Sequence, residues 1–219
     1  MQAVGETLYT RVVSTHVPWQ PEHVVDVRDA AFAARTYREH ADVRALCAQA
    51  AGRTRVRAAA DVGCGYGRMT PVLTEFADRV TGFEREPHFV AEASRLWPDI
   101  RFVQVPSLES LPAGASEFDL LLTFTVLQHL IDPVVRTVAR EIARTIRRGG
   151  HLLICEETDP GHTDGATDDP AGMCTVGRPV AMYQDLFAPF DLLTTRPRRI
   201  EPTYPRPDVG TYLLFRRRG

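Results

Sequence analysis

Apolar residues recur along this chain with two alternating periods. From Asp29 to Ala51 Ala, Arg and Leu are dense, a helix-leaning stretch that Gly52 is placed to end. Val56–Val62 is then a short apolar run, Met69–Ala77 reads as helix, and Arg79–Phe83 is apolar again. Pro87–Trp97 has helical periodicity, with proline in the first turn where its missing N–H costs no bond. Ile100–Val105 and Phe118–Phe124 read as strands. Pro133–Arg148 carries apolar residues at 134, 135, 138, 142 and 146, a helical stripe that Gly149–Gly150 closes, and His151–Cys155 is the next strand.

Strands alternating with helices predict an α/β domain whose parallel sheet is covered on both faces. The near-continuous apolar strands agree, because a strand buried on both sides need not alternate. Thr158–Pro179 breaks the rhythm with four glycines among polar residues, a loop long enough to be functional. Val180–Phe187 reads as a short helix, and Phe190–Thr195 with Gly210–Arg216 as a hairpin-like finish.

Composition narrows the class. A chain of 219 residues with 44% apolar content makes one domain with appendages. Twenty-six basic residues against 28 acidic argue against a nucleic-acid partner, which usually meets a strongly basic face. All the basic residues are arginine, and lysine and asparagine are both absent, as a GC-rich bacterial genome would produce. No apolar run approaches the ~18 residues of a membrane span, and the N-terminus lacks a signal pattern. Cys47, Cys64, Cys155 and Cys174 show no C-x-x-C spacing, so the expectation is reduced thiols in a cytoplasmic protein.

The segment Asp61-Val-Gly63-Cys64-Gly65-Tyr66-Gly67-Arg68 lies between a strand and a helix. Glycine there allows close approach of a ligand to the backbone, and the helix start offers unpaired N–H groups. Arg68 stands where a dinucleotide fingerprint wants Gly or Ala, which disfavours a nicotinamide cofactor. Glu84 ends the next strand, where a carboxylate can accept both hydroxyls of a ribose.

With these residues, and with Ser107–Pro112, Phe118–Asp132 and Arg147–Glu156, the chain resembles the class I S-adenosylmethionine-dependent methyltransferases. The resemblance covers about residues 55–157 and implies a Rossmann-like, doubly wound seven-stranded sheet whose last strand is antiparallel. It implies an N-terminal helical cover over 1–55, a cofactor-binding core over 56–157, and a substrate loop with the final helix and strands over 158–219. S-adenosylmethionine is the implied cofactor and S-adenosylhomocysteine the product. The glycine loop, Asp61 through Arg68, would hold the methionine part; Glu84 and Arg85 the ribose; Ser107, Leu108 and Glu109 the adenine, with Thr123 and Phe124 closing the crevice. The family often has Asp where Ser107 stands; a hydroxyl still serves the adenine amino group, or Glu109 takes its place.

Methyl transfer needs an acceptor aligned with the S–CH₃ bond and, for a hydroxyl or protonated amine, a base. His129, a few residues beyond the fourth strand, is the base candidate, against a packing role. Glu156 and Glu157 end the fifth strand, and one of them, Glu156 first, is read as a substrate contact, with Tyr37 as an aromatic cover for the sulfonium. Tyr9 and Trp19 offer the same chemistry as Tyr37, and Arg178 with Tyr183 could define a pocket. His162 with Asp159, Asp164, Asp168 and Asp169 matches no calcium-loop spacing, and no metal is expected. The acceptor expected is a small molecule, with O and N both open, and a homodimer is compatible. Methylation of RNA or a peptide, and a non-catalytic cofactor-binding module, are the alternatives.

Overall fold

A computed structural model describes residues 30–165, 174–199 and 210–219. Its elements in chain order are α1 (Ala30–Ala51), β1 (Val56–Val62), α2 (Thr70–Leu73), β2 (Ala77–Glu84), α3 (Pro87–Leu96), β3 (Arg101–Gln104) and β4 (Phe118–Phe124). After a 3₁₀ turn at Leu127–His129 come α4 (Asp132–Thr145), β5 (Ile146–Glu156), a 3₁₀ turn at Pro160–His162, and the short strands β6 (Asp164–Gly165) and β7 (Cys174–Thr175). The last elements are α5 (Val180–Leu186), β8 (Phe190–Pro197) and β9 (Thr211–Arg217).

Among the described residues a seven-stranded sheet runs in the order β3-β2-β1-β4-β5-β9-β8. Strands β1 to β5 pair in parallel, and β9 lies antiparallel to both β5 and β8. The expected Rossmann-like sheet with its antiparallel final strand is therefore present. Strand order reverses between β1 and β4, which opens a crevice at their C-terminal ends.

Side chains of the central strands alternate between two cores. Ala58, Ala60 and Val62 of β1 join Leu121 and Ile154 against Val135, Val138 and Ile142 of α4 and Tyr183 near the chain's end. Ala59, Leu120, Leu122 and Leu153 face the other way, against Val43, Leu46 and Cys47 of α1 and Val72 and Leu73 of α2. So α1 covers one face of the sheet, and Gly52 ends it with its N–H donating to Ala48 O at 3.0 Å.

Two helices end well short of expectation. The helix read over Met69–Ala77 is only Thr70–Leu73, because Ala77 is already taken into β2 beside Val56. The helix read to Arg148 ends at Thr145. Ile146 is fully buried and pairs with Phe118, so β5 begins there, and Gly149–Gly150 sit in an irregularity where the register jumps to His151 beside Leu120. Among the described residues no helix is long and apolar enough to cross a membrane.

Candidate active site

The glycine loop follows β1 and is drawn onto the end of β2. Gly63 and Cys64 both donate their N–H to Phe83 O, at 2.8 and 3.1 Å. Gly63 has φ +73°, and a Cβ placed on it would stand 2.5 Å from the Val126 side chain, so the loop passes hard against the turn after β4. Gly65 has φ +55°, and a Cβ placed there would meet nothing within 4 Å. Among the described residues, the side of the loop to which a Gly65 side chain would point is open.

Glu84 is bound into this loop. Its Oε2 accepts the Gly65 N–H at 2.9 Å, and its Oε1 accepts those of Arg85 at 2.7 Å and Glu86 at 3.0 Å. Those amides occupy three of about four acceptor positions on a carboxylate. A diol reaching Glu84 must share or displace them. Burial pushes the Glu84 carboxyl above its ordinary value, against the pull of the three amides. Arg85 turns its guanidinium to the adjacent Glu86. Ser107 and Glu109 hold each other, the hydroxyl accepting the Glu109 N–H at 3.1 Å and facing its Oε2 at 3.2 Å. Leu108 packs partly buried against the core between them.

Asp61 lies behind the loop, 1% exposed, accepting a hydrogen bond from the Thr70 hydroxyl at 2.7 Å. Burial raises its carboxyl to about 7. Cys64 is likewise buried and its thiol is pushed well up, so it serves packing and not nucleophilic chemistry. Tyr66 is half-buried between Gly65 and Gly67. Arg68 turns away from the crevice: its guanidinium pairs with Glu39 of α1, and its carbonyl accepts from His40 Nε2 at 2.8 Å.

Glu39 organises this side of the site. It is 1% exposed and meets Arg35 at 3.0 Å, Arg198 at 2.8 Å and Arg68. Burial raises its carboxyl, but attraction to Arg68, Arg198 and Arg35 wins and holds it at about 2. The Arg68 and Arg198 guanidinium carbons each lie 5.0 Å from the Phe124 ring centroid.

Several expectations need correction. Phe124 was expected to line the cofactor, but its ring stacks with these guanidinium groups and is 8% exposed. Thr123 is 0% exposed, and its hydroxyl donates to Glu156 Oε1 at 3.1 Å. Glu156 is itself 0% exposed and cannot reach a substrate, because Oε1 also accepts the Val126 N–H and Oε2 the Gln128 N–H, at 3.1 and 3.0 Å. Burial raises it to about 6 despite those bonds. Tyr37 is 77% exposed on α1. Tyr9 and Trp19 lie outside the described residues.

His129 stands on the 3₁₀ turn after β4, and that turn is gripped from both ends. Glu156 takes amides at its start. Arg178, 1% exposed, donates to Leu127 O at 2.9 Å, to Leu130 O, and to Asp132 Oδ1 at 2.9 Å. Arg178 thus holds carbonyls and does not line a pocket. Tyr183 is buried too, its hydroxyl 3.4 Å from Glu157 O. Thr125, just before the turn, has φ +55°, a conformation that costs a β-branched residue about 1–2 kcal/mol. Its N–H donates to Cys155 O at 2.8 Å. His129 Nδ1 lies 2.8 Å from Cys174 O, and its Nε2 3.3 Å from Gln128 Nε2.

Beyond β5, Glu157 Oε1 accepts the Asp159 N–H at 2.9 Å and Oε2 lies 3.2 Å from His162 Nδ1. Among the described residues no three His, Cys, Asp or Glu side chains gather as a metal site. Asp168 and Asp169 lie outside them.

Residues 60–154 match a family model described as a methyltransferase domain. The ubiquinone biosynthesis O-methyltransferase of Cereibacter sphaeroides is 30% identical over 101 residues, 43% of this chain and 38% of that protein. A tRNA U34 carboxymethyltransferase of Campylobacter concisus is 31% identical over 99 residues, 43% of this chain and 34% of that one. The matches thus span well under half of these relatives. Among solved structures, an S-adenosylmethionine-dependent methyltransferase from Methanosarcina mazei aligns with TM-score 0.65 at 16% identity, over 75% of this chain and 94% of its own. The Burkholderia thailandensis 1,6-didemethyltoxoflavin-N1-methyltransferase, with that compound and S-adenosylhomocysteine bound, aligns with TM-score 0.60 at 21% identity, over 88% and 80%. The residues present fit S-adenosylmethionine: among the described residues the space beside Gly65 is open, and a carboxylate stands at the end of β2.

Proposed function

We propose that this chain, whose core is that of a class I S-adenosylmethionine-dependent methyltransferase, methylates an oxygen or nitrogen of a small molecule. The observation that carries the reading is the convergence, among the described residues, of the open side of Gly65, Glu84 and the His129 turn at the strand-order reversal. The cofactor, when bound, supplies a methyl group on a sulfonium whose departure leaves a neutral thioether.

The protein's own residues have limited work to do. Glu84 would grip the sugar by charge-assisted hydrogen bonds, and the glycine loop would admit the methionine part. Glu84 would place negative charge beside a cationic ligand, and Asp61 would add to it from behind the loop at a pH above about 7, where its buried carboxyl ionises. His129 Nε2 would take the proton from the acceptor, a contribution of about 10²–10⁴-fold. A small acceptor agrees with the near-neutral charge of −2 and with the toxoflavin precursor that one structural neighbour holds. A biosynthetic intermediate of bacterial secondary metabolism is the substrate class we favour. The tRNA-modifying relative keeps RNA as the second reading.

The test uses methyl-labelled cofactor with three arms: phenols and N-heterocycles, bulk tRNA, and no acceptor. Label transfer to small molecules, with kcat reduced at least about 100-fold in His129→Gln, supports the reading. Transfer to tRNA alone replaces the acceptor. Tight cofactor binding without transfer in any arm makes the protein a binding module.

A further inference from the structure

We infer that Glu39 and His40 of α1 are positioning residues for S-adenosylmethionine, acting through Arg68 on the glycine loop, a step that rests on reading that loop as the cofactor's seat.

The buried face of α1 explains how a helix comes to hold this loop. Thr36, Glu39, His40, Val43, Leu46 and Cys47 fall at helical spacing along one side of it. Val43, Leu46 and Cys47, toward the helix C-terminus, are apolar and pack on the sheet. The three residues before them are polar, and all three meet Arg68. Glu39 Oε2 accepts from the Arg68 guanidinium, the Thr36 hydroxyl accepts from the same nitrogen at 3.4 Å, and His40 Nε2 lies 2.8 Å from the Arg68 carbonyl. A carbonyl oxygen can only accept, so His40 donates there. Arg68 is thus held by its side chain and its backbone together.

Arg68 directly follows Gly67, where the loop ends. The loop's start is tied to β2 through the Gly63 and Cys64 amides, its middle to Glu84 through the Gly65 amide, and the Gly67 N–H closes back on Cys64 O at 2.9 Å. Just past Gly67, α1 supplies a further hold. Stability alone does not call for a charge here, because apolar side chains filling the same buried space often stabilise as well as an ion pair. A carboxylate adds direction. Glu39 Oε1 accepts from Arg35 at 3.0 Å and from Arg198 at 2.8 Å, which fixes the carboxylate with Oε2 toward Arg68. A loop already held in its binding shape spares the cofactor the cost of ordering it.

S-adenosylhomocysteine is the probe, titrated calorimetrically into the whole chain. His40→Ala should weaken its binding about threefold or more, and His40→Gln, whose amide still reaches the Arg68 carbonyl, should keep wild-type affinity. Glu39→Gln and Arg68→Met should each weaken binding about three- to tenfold, and the double variant no further, because both cut one link. Leu46→Ala loosens α1 on the sheet without touching Arg68, so it should lower Tm and leave affinity within about twofold. The coupling is reciprocal: the probe should slow hydrogen exchange over residues 36–43 in the wild type and not in Arg68→Met. Affinity that merely follows Tm across these variants, losses that add in the double variant, or a His40→Gln no better than His40→Ala overturns the inference. Should Glu39→Gln fail to fold, the two His40 variants decide alone. A folded wild-type chain that binds no S-adenosylhomocysteine overturns the reading of the loop itself, and this inference with it.

Discussion

The Gly65 amide donates to Glu84 Oε2 at 2.9 Å, so the carboxylate proposed to hold the ribose also pins the glycine loop. Glu84→Ala removes both the charge-assisted grip and the loop's anchor. Affinity for S-adenosylhomocysteine should fall by about 1–3 kcal/mol, read by calorimetry. Unchanged affinity would remove Glu84 from the binding site.

Gly63 and Gly65 share a positive φ but differ in their surroundings, and the same substitution should separate them. Alanine at either position costs about 1–2 kcal/mol for the left-handed conformation. At Gly63 it also strikes Val126, 2.5 Å from the added carbon, and overpacking adds about 1–3 kcal/mol. Gly63→Ala should therefore show the lower Tm. Gly65→Ala should keep most of its stability and lose cofactor affinity, because its methyl enters the space the ligand needs. Equal Tm values would contradict the close packing at Val126.

Asp61 gives the protein a pH dependence with a definite sign. Burial raises its carboxyl from an ordinary 3.8 to about 7. The unfolded chain loses this proton first, so between those values the folded state binds more protons and stability falls as pH rises. This contribution is fully present below about pH 4 and lost as pH passes 7. Asp61→Asn, whose oxygen still accepts from Thr70, should abolish that slope and raise Tm at pH 8 above the wild type. At that pH the same change should weaken cofactor binding by removing a carboxylate behind a cationic ligand. A Tm at pH 8 equal to or below the wild type would mean that ionised Asp61 costs the fold nothing.

Glu39 works in the opposite direction. Held at about 2 by its arginines, it stabilises the fold above its ordinary value of 4.5, and that stability is lost as pH falls through 2. Glu39→Gln leaves Arg35, Arg68 and Arg198 without their buried partner and should cost about 3–5 kcal/mol in denaturant unfolding. A loss under about 1 kcal/mol would mean the cluster is solvated and contributes as a surface pair does.

These cases mark what a sequence can reveal. Phe118–Phe124 announces a buried parallel strand because five of its seven residues are apolar, and the glycine loop is visible because its conformation demands glycine. The Glu39–Arg198 pair, 159 residues apart, leaves no local pattern. Arg178 reads in the sequence as a pocket residue, because its actual partners are mostly backbone carbonyls, which carry no identity in a sequence. Glu156 and Gln128 were misread or missed for the same reason: each is defined by the amides it binds. The stripe through Ile146 mimicked a longer helix, and only burial against Phe118 shows it to be strand.

The most direct measurement of the account is a calorimetric titration of the purified protein with S-adenosylhomocysteine, run beside Glu84→Ala. A saturable one-site heat that weakens severalfold or more in the variant is the predicted result. A folded wild-type protein that gives no heat and no rise in Tm with either form of the cofactor would contradict it.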